Sequence, residues 1–140
     1  MTRALLPEER AILAFLLSKQ FPGREELLVQ LEHTRVTGPS CNCGCDSIGL
    51  VVDRTVPPAP VDERVPTDAF GRDSAGAEVG ALLHVIDGYM DDLEFYSVSD
   101  AQQFGRPTLD SLQLAQWSKK DIRGTAALLN RPPPDDGSAE

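Results

Sequence analysis

Val79-Gly80-Ala81-Leu82-Leu83-His84-Val85-Ile86-Asp87-Gly88-Tyr89-Met90-Asp91-Asp92-Leu93-Glu94-Phe95-Tyr96-Ser97-Val98 is the stretch on which the fold turns. Branched and apolar residues fill its first arm. Asp87-Gly88 is a favoured two-residue turn, because both positions of a tight hairpin turn need positive φ. Tyr89 to Val98 then makes the return arm. Leu93 and Phe95 point to one face, and Glu94 and Tyr96 to the other. Leu82, His84 and Ile86 make the second face of the first arm largely apolar as well. That arm is therefore expected to be a central strand covered on both sides.

Upstream, the period changes. Ser47 to Asp53 alternates Ile48, Leu50 and Val52 against Ser47, Gly49, Val51 and Asp53, the pattern of a half-buried strand. Thr34 to Thr37 reads as a short strand broken by Gly38-Pro39. Before it the period is helical. Pro7 suits a first helical turn, and Glu8 and Glu9 complement its dipole. Ile12, Leu13, Phe15, Leu16 and Leu17 form one apolar face up to Gln20. Pro22-Gly23 ends that helix, and Arg24 to His33 forms a second with Leu27, Leu28 and Leu31 inward. The fold class expected is α+β: an N-terminal helical hairpin packed on a small, mainly antiparallel β-sheet. Arg54 to about Ala77, rich in Gly and Pro, reads as a long loop. Thr108 is expected to cap a short helix carrying Leu109, Leu112 and Trp117, with a further helical turn over Ile122 to Asn130. Residues 1–130 are read as one domain and 131–140 as a disordered tail, on its three consecutive prolines and terminal polar run.

The chain has 140 residues and 41% hydrophobic content, ordinary for a globular protein. No run approaches the roughly 18 apolar residues of a membrane span. The short apolar stretch near Met1 lacks a small-residue cleavage pattern, so no signal peptide is expected and the expected compartment is cytoplasmic. Three cysteines, an odd count, argue against a disulfide framework.

Net charge is −9, and residues 59–100 carry ten acidic and two basic side chains, hence −8 of it. Such a surface repels phosphate backbones, which excludes ordinary nucleic-acid binding. It attracts a basic protein partner, or simply keeps the protein soluble. The carboxylates of Asp87, Asp91, Asp92, Glu94 and Asp100 gather around the hairpin. They suit a basic protein surface, a hard cation or a solvated rim, but do not match the calcium-loop spacing. The candidate partner-binding residues are Asp91, Asp92 and Glu94 with the amphipathic Tyr89 and Tyr96, although Tyr96 can equally pack across the first arm.

Cys41, Cys43 and Cys45 place three thiols in five residues. Soft thiolates suit zinc or copper, with His33 or Asp46 completing a site. Alternate residues of an extended chain stand about 6.5–7 Å apart, so one metal requires a tight fold, which Gly44 permits. A reversible disulfide, or cysteines simply packed under a turn, fit the same residues. His84, in an apolar strand, reads as a satisfied core or rim residue rather than a base, and no nucleophile stands beside either histidine. An enzyme is thus disfavoured.

Cys41-Asn42-Cys43-Gly44-Cys45-Asp46-Ser47-Ile48 and Val85-Ile86-Asp87-Gly88-Tyr89-Met90-Asp91-Asp92-Leu93-Glu94-Phe95-Tyr96 together resemble small uncharacterised actinobacterial proteins. The second segment is loosely similar to hairpins of immunity proteins that neutralise bacterial toxins. The resemblance carries no catalytic residues. It implies a non-enzymatic protein-binding module, an immunity-type inhibitor of a basic partner. The alternative is a thiol-dependent metal or redox protein using the cysteine turn.

Overall fold

Asp87 and Gly88 both adopt positive φ, 55° and 85°, as the two-residue turn requires. They join β5 (Glu78–Ile86) to β6 (Tyr89–Ser97), the two longest strands. The computed structural model describes residues 1–40, 46–98 and 103–115. Within them, β5 and β6 lie at the middle of a seven-stranded sheet. The others are β1 (Arg3–Ala4), β2 (Thr34–Pro39), β3 (Ile48–Val52), β4 (Thr67–Arg72) and β7 (Gln113–Leu114). The order is β1-β2-β3-β6-β5-β4-β7, and every pairing is antiparallel. Two helices, α1 (Pro7–Leu16) and α2 (Arg24–Leu31), follow the edge strand β1. The class is α+β.

One face of the sheet is dry. Ala81 and Leu83 of β5 stand opposite Phe95 and Leu93 of β6, and all four are essentially inaccessible. Leu13 and Leu16 of α1 and Leu27 of α2 belong to the same fully buried core. Burying each leucine contributes about 1.5–3 kcal/mol relative to exposure. Thr67 Oγ1 donates to Leu16 O at 2.8 Å, satisfying a carbonyl that the end of α1 leaves open. The other face of β5, at Leu82, His84 and Ile86, is half-buried rather than fully covered. No helix among the described residues is long and apolar enough to cross a membrane.

Three expectations are corrected. Residues 54–77 are not one loop, because Thr67–Arg72 form β4 and pair with β5 from Leu83 back to Glu78. Thr108 precedes a single 3-10 turn, Leu109–Ser111, and the chain then enters β7 instead of continuing as a helix. Ala69 and Phe70 of β4 capture that segment by pairing with it. Gly38-Pro39 does not end β2 but lies inside it, past a register irregularity after Val36. The cysteine turn, Trp117, the expected turn over 122–130 and the expected tail lie outside the described residues.

Two buried polar side chains fix how these elements meet. Gln30 of α2, fully buried, donates Nε2 to Gly88 O at 2.8 Å and to Pro57 O at 3.2 Å, while its Oε1 accepts from Met90 N at 3.1 Å. Ala59 N also donates to Gly88 O, at 2.7 Å. The hairpin turn is thereby tied to α2 and to the 57–59 segment. Glu9 of α1, also fully buried, accepts from both Arg3 guanidinium nitrogens at 2.8 Å and from Leu6 N at 2.8 Å. Arg106 Nη1 reaches Glu9 at 3.0 Å and Glu8 at 3.1 Å, and its Nη2 donates to Asp46 O. This cluster joins β1, α1, the entry to β3 and the segment leading to β7.

Candidate functional site

The face of the sheet away from the helices carries the chemistry. Pairing outward from the turn, Ile86 faces Tyr89 and Val85 faces Met90, but His84 faces Asp92, because a bulge inserts Asp91. His84, Asp92, Glu94 and Tyr96 consequently share the outer face. Tyr96 stands opposite Gly80, and a Cβ at Gly80 would sit 2.1 Å from the tyrosine ring. The glycine therefore lets the ring lie flat across β5 and wall one side of a cleft.

That cleft has a volume of about 500 Å³ and is lined by His84, Asp92, Glu94, Tyr96, Arg64 and Phe104, with Ser40 and Ser47 at the β2–β3 end. Val85 N donates to Arg64 O at 2.7 Å, which holds the Arg64 backbone beside β5. Arg64 Nε then donates to His84 Nδ1 at 3.2 Å, and His84 Nε2 lies 2.7 Å from Glu94 Oε1. A guanidinium can only donate. His84 Nδ1 is therefore the acceptor, and Nε2 carries the proton towards Glu94. Both ring nitrogens are engaged, so His84 orients Glu94 and is not an available base. Ser47 Oγ accepts from Phe95 N at 2.8 Å and donates to Phe95 O at 3.3 Å, which occupies that hydroxyl too.

Asp92 differs from its neighbours. Its Oδ1 is shielded from solvent and has no hydrogen-bond partner among the described residues. Burial pushes its carboxyl above the ordinary range, and the charges of Glu94 and Asp91 push the same way; His84 and a hydrogen bond from Ser40 oppose them. Burial likewise raises Asp68 of β4, which faces Leu82 on this side of the sheet, with Lys19 opposing. The Tyr96 hydroxyl is raised first by burial and then by Asp68 and Glu94. The outer face thus holds carboxylates whose charged forms are under-compensated, which is the electrostatic state that an incoming cation relieves.

The residues singled out in the sequence separate. Asp92, Glu94 and Tyr96 come together in the cleft. Asp91 is the bulge residue beside them. Tyr89 instead donates its hydroxyl to Val56 O at 2.8 Å and lies under the Arg54 guanidinium, 3.9 Å from its ring centroid. It packs the turn end of the hairpin against the 54–56 segment. His33 is exposed and precedes β2, and its carbonyl accepts from Asp53 N. Ser40 and Ser47, which flank the cysteine segment, are joined at the opposite end of the β2–β3 pair by a 3.0 Å bond from Ser40 N to Ser47 O. Six strand residues separate the two ends, roughly 20 Å.

Arg64 and Phe104 are site residues that sequence reasoning missed. Arg64 sits in the stretch read as loop, and Phe104 beyond the hairpin, with no periodicity to place either. No protein-family model, curated protein or solved structure matches this chain.

Proposed function

We propose that the chain is a non-enzymatic protein-binding module whose outer sheet face receives a basic partner protein, acting as an immunity-type inhibitor. The Asp92 carboxylate carries this reading. Its Oδ1 is shielded and has no hydrogen-bond partner among the described residues, at a cleft that also holds Glu94, on the segment that supplies nearly all the net negative charge. A cation of a partner would satisfy that oxygen and offset the mutual repulsion of Asp91, Asp92 and Glu94. The engaged His84 and Ser47 support binding over catalysis, since neither presents a free base or nucleophile.

Selection of displayed random peptides on the full chain tests this. Enriched peptides should carry more Arg and Lys than the starting pool. They should bind the Asp92→Asn, Glu94→Gln double variant at least about tenfold more weakly, the loss of roughly 1.4 kcal/mol typical of a charged contact. Binding should also weaken with salt. Peptides no more basic than the pool, or bound equally by the variant, would sink the reading.

A second reading, a thiol-dependent metal or redox protein, draws support from one placement. Ser40 and Ser47 tether both ends of the cysteine segment at the cleft. Elemental analysis finding one zinc or copper per chain would favour it.

A further inference from the structure

We infer that His84 is a proton-operated latch on Arg64: the neutral imidazole holds the Arg64 side chain at the cleft, and the imidazolium releases it. The inference concerns the wall of the cleft and does not depend on what the cleft binds. Its basis is a count of donors and acceptors. A guanidinium only donates, and it stays charged at every ordinary pH. Arg64 Nε donates to His84 Nδ1 at 3.2 Å, and His84 Nε2 lies 2.7 Å from Glu94 Oε1. The neutral ring meets both demands at once, with Nδ1 accepting and Nε2 donating. An imidazolium carries N–H on both nitrogens. Its Nδ1–H then points at the Arg64 Nε–H. Two donors and two positive charges meet where a hydrogen bond stood, and the guanidinium has to leave. The Nε2–H keeps Glu94, now as an ion pair.

The fold lets one side chain move without the other. Val85 N donates to Arg64 O at 2.7 Å, which keeps the Arg64 backbone against β5. Arg64 is exposed, whereas the His84 side chain is 16% exposed and stays tied to Glu94. Release therefore sends the guanidinium into water and leaves the ring in the sheet. Arg64 lines the cleft, so its departure removes part of the wall. The charged groups around the ring come from three directions. Asp92 stands opposite on β6, with the bulge residue Asp91 before it and Glu94 beyond. Asp68 of β4 faces Leu82, two residues along β5, and Lys19 opposes it. Asp62 and Glu63 adjoin Arg64 in the chain. Asp92 and Asp68 are both raised by burial, so their protonation has to be separated from that of the ring.

NMR of the isotope-labelled full chain reads the latch directly. The probes are nuclear Overhauser contacts between the Arg64 δ-methylene and the His84 ring protons, and the carbon relaxation of that methylene. The contacts should be present at about pH 8 and lost at about pH 5, the span over which histidine ordinarily changes charge. Over the same span the methylene should gain the mobility of a free arginine. Both changes should have the midpoint of the His84 ring-carbon titration. His84→Gln offers Arg64 an acceptor and Glu94 a donor but takes up no proton, so it should abolish the pH response of Arg64. Contacts that are absent at both pH values in the parent, or unchanged between them, would overturn the latch. A pH response that persists in His84→Gln would place the titration on Asp92, Asp68 or Glu94 and overturn it equally.

Discussion

Glu9 and Asp92 are both carboxylates withdrawn from water, and the protein treats them in opposite ways. Burial alone would raise Glu9. The Arg3 hydrogen bond, the Leu6 amide and the Arg106 charge outweigh it and hold the carboxyl at about 2. Asp92 meets burial with only Ser40 and His84 in its favour, and its carboxyl rises. The first is a completed ionic joint between elements far apart in sequence; the second is an incomplete one facing a cleft. Burial alone therefore does not set the direction in which such an acid shifts, and counting the donors that meet it does.

The sharpest way to break this contrast is to remove each acid. Glu9→Ala leaves Arg106, only 15% exposed, without its main partner, and undocks Arg3. We expect a loss of about 3 kcal/mol in urea-induced unfolding, the scale of breaking a buried pair from one side. A change below about 1 kcal/mol would show that the joint is dispensable.

Acid titration sharpens the comparison further, because the two groups act with opposite sign. The Glu9 carboxyl is depressed from an ordinary 4.5 to about 2, so its stabilisation is complete above about pH 4.5 and is lost as pH falls towards 2. The full effect is about 3 kcal/mol, at 1.36 kcal/mol per pKa unit. Asp92 is raised, so the folded state binds its proton more tightly than the unfolded state. Its contribution falls as pH rises from the ordinary aspartate value through its elevated one. Urea midpoints measured between pH 2 and 7 should drop steeply at the acid end in the parent, and much less in Glu9→Gln.

The smallest effect is expected at Asp92 itself. Asp92→Asn should leave the midpoint at pH 7 unchanged or slightly higher, since it removes an under-compensated charge beside Asp91 and Glu94. A clear loss of stability would mean that the Asp92 carboxylate is a structural acid like Glu9.

The sequence made the β5–β6 hairpin legible because Asp87-Gly88 fixes both the turn and its register locally. The register beyond the turn was not legible. Simple alternation from the turn sets His84 opposite Asp91, whereas the bulge sets it opposite Asp92, and no residue pattern announces that bulge. Strand β4 was hidden because Thr-Asp-Ala-Phe-Gly-Arg lacks strong alternation and has a single β-branched residue, Thr67; its pairing with β5 decides it. Segment 109–115 was misread for the same reason, since β4 supplies its partner. Gln30 and Glu9 are polar letters on helices whose burial depends on acceptors and donors up to about a hundred positions away. Hydropathy has no term for a polar group that is fully satisfied. Within the cleft, the acids were legible and the cleft was not. Asp92, Glu94 and Tyr96 were singled out by charge and character, while His84, Arg64 and Phe104 joined them only through tertiary contact.

The tether at the hairpin turn bears on the kinetics of recognition. Met90 N is held by Gln30, Gly88 O is held from two directions, and Phe95 N is held by Ser47. β6 is thus clamped on both sides of Asp92 and Glu94 before any partner arrives. On the proposed reading, a basic partner entering the cleft would meet an already clamped strand and forgo the cost of ordering it, roughly 0.5–1.5 kcal/mol for each rotamer-rich side chain immobilised. Association there should behave as rigid-body docking steered by charge, with little coupling to folding.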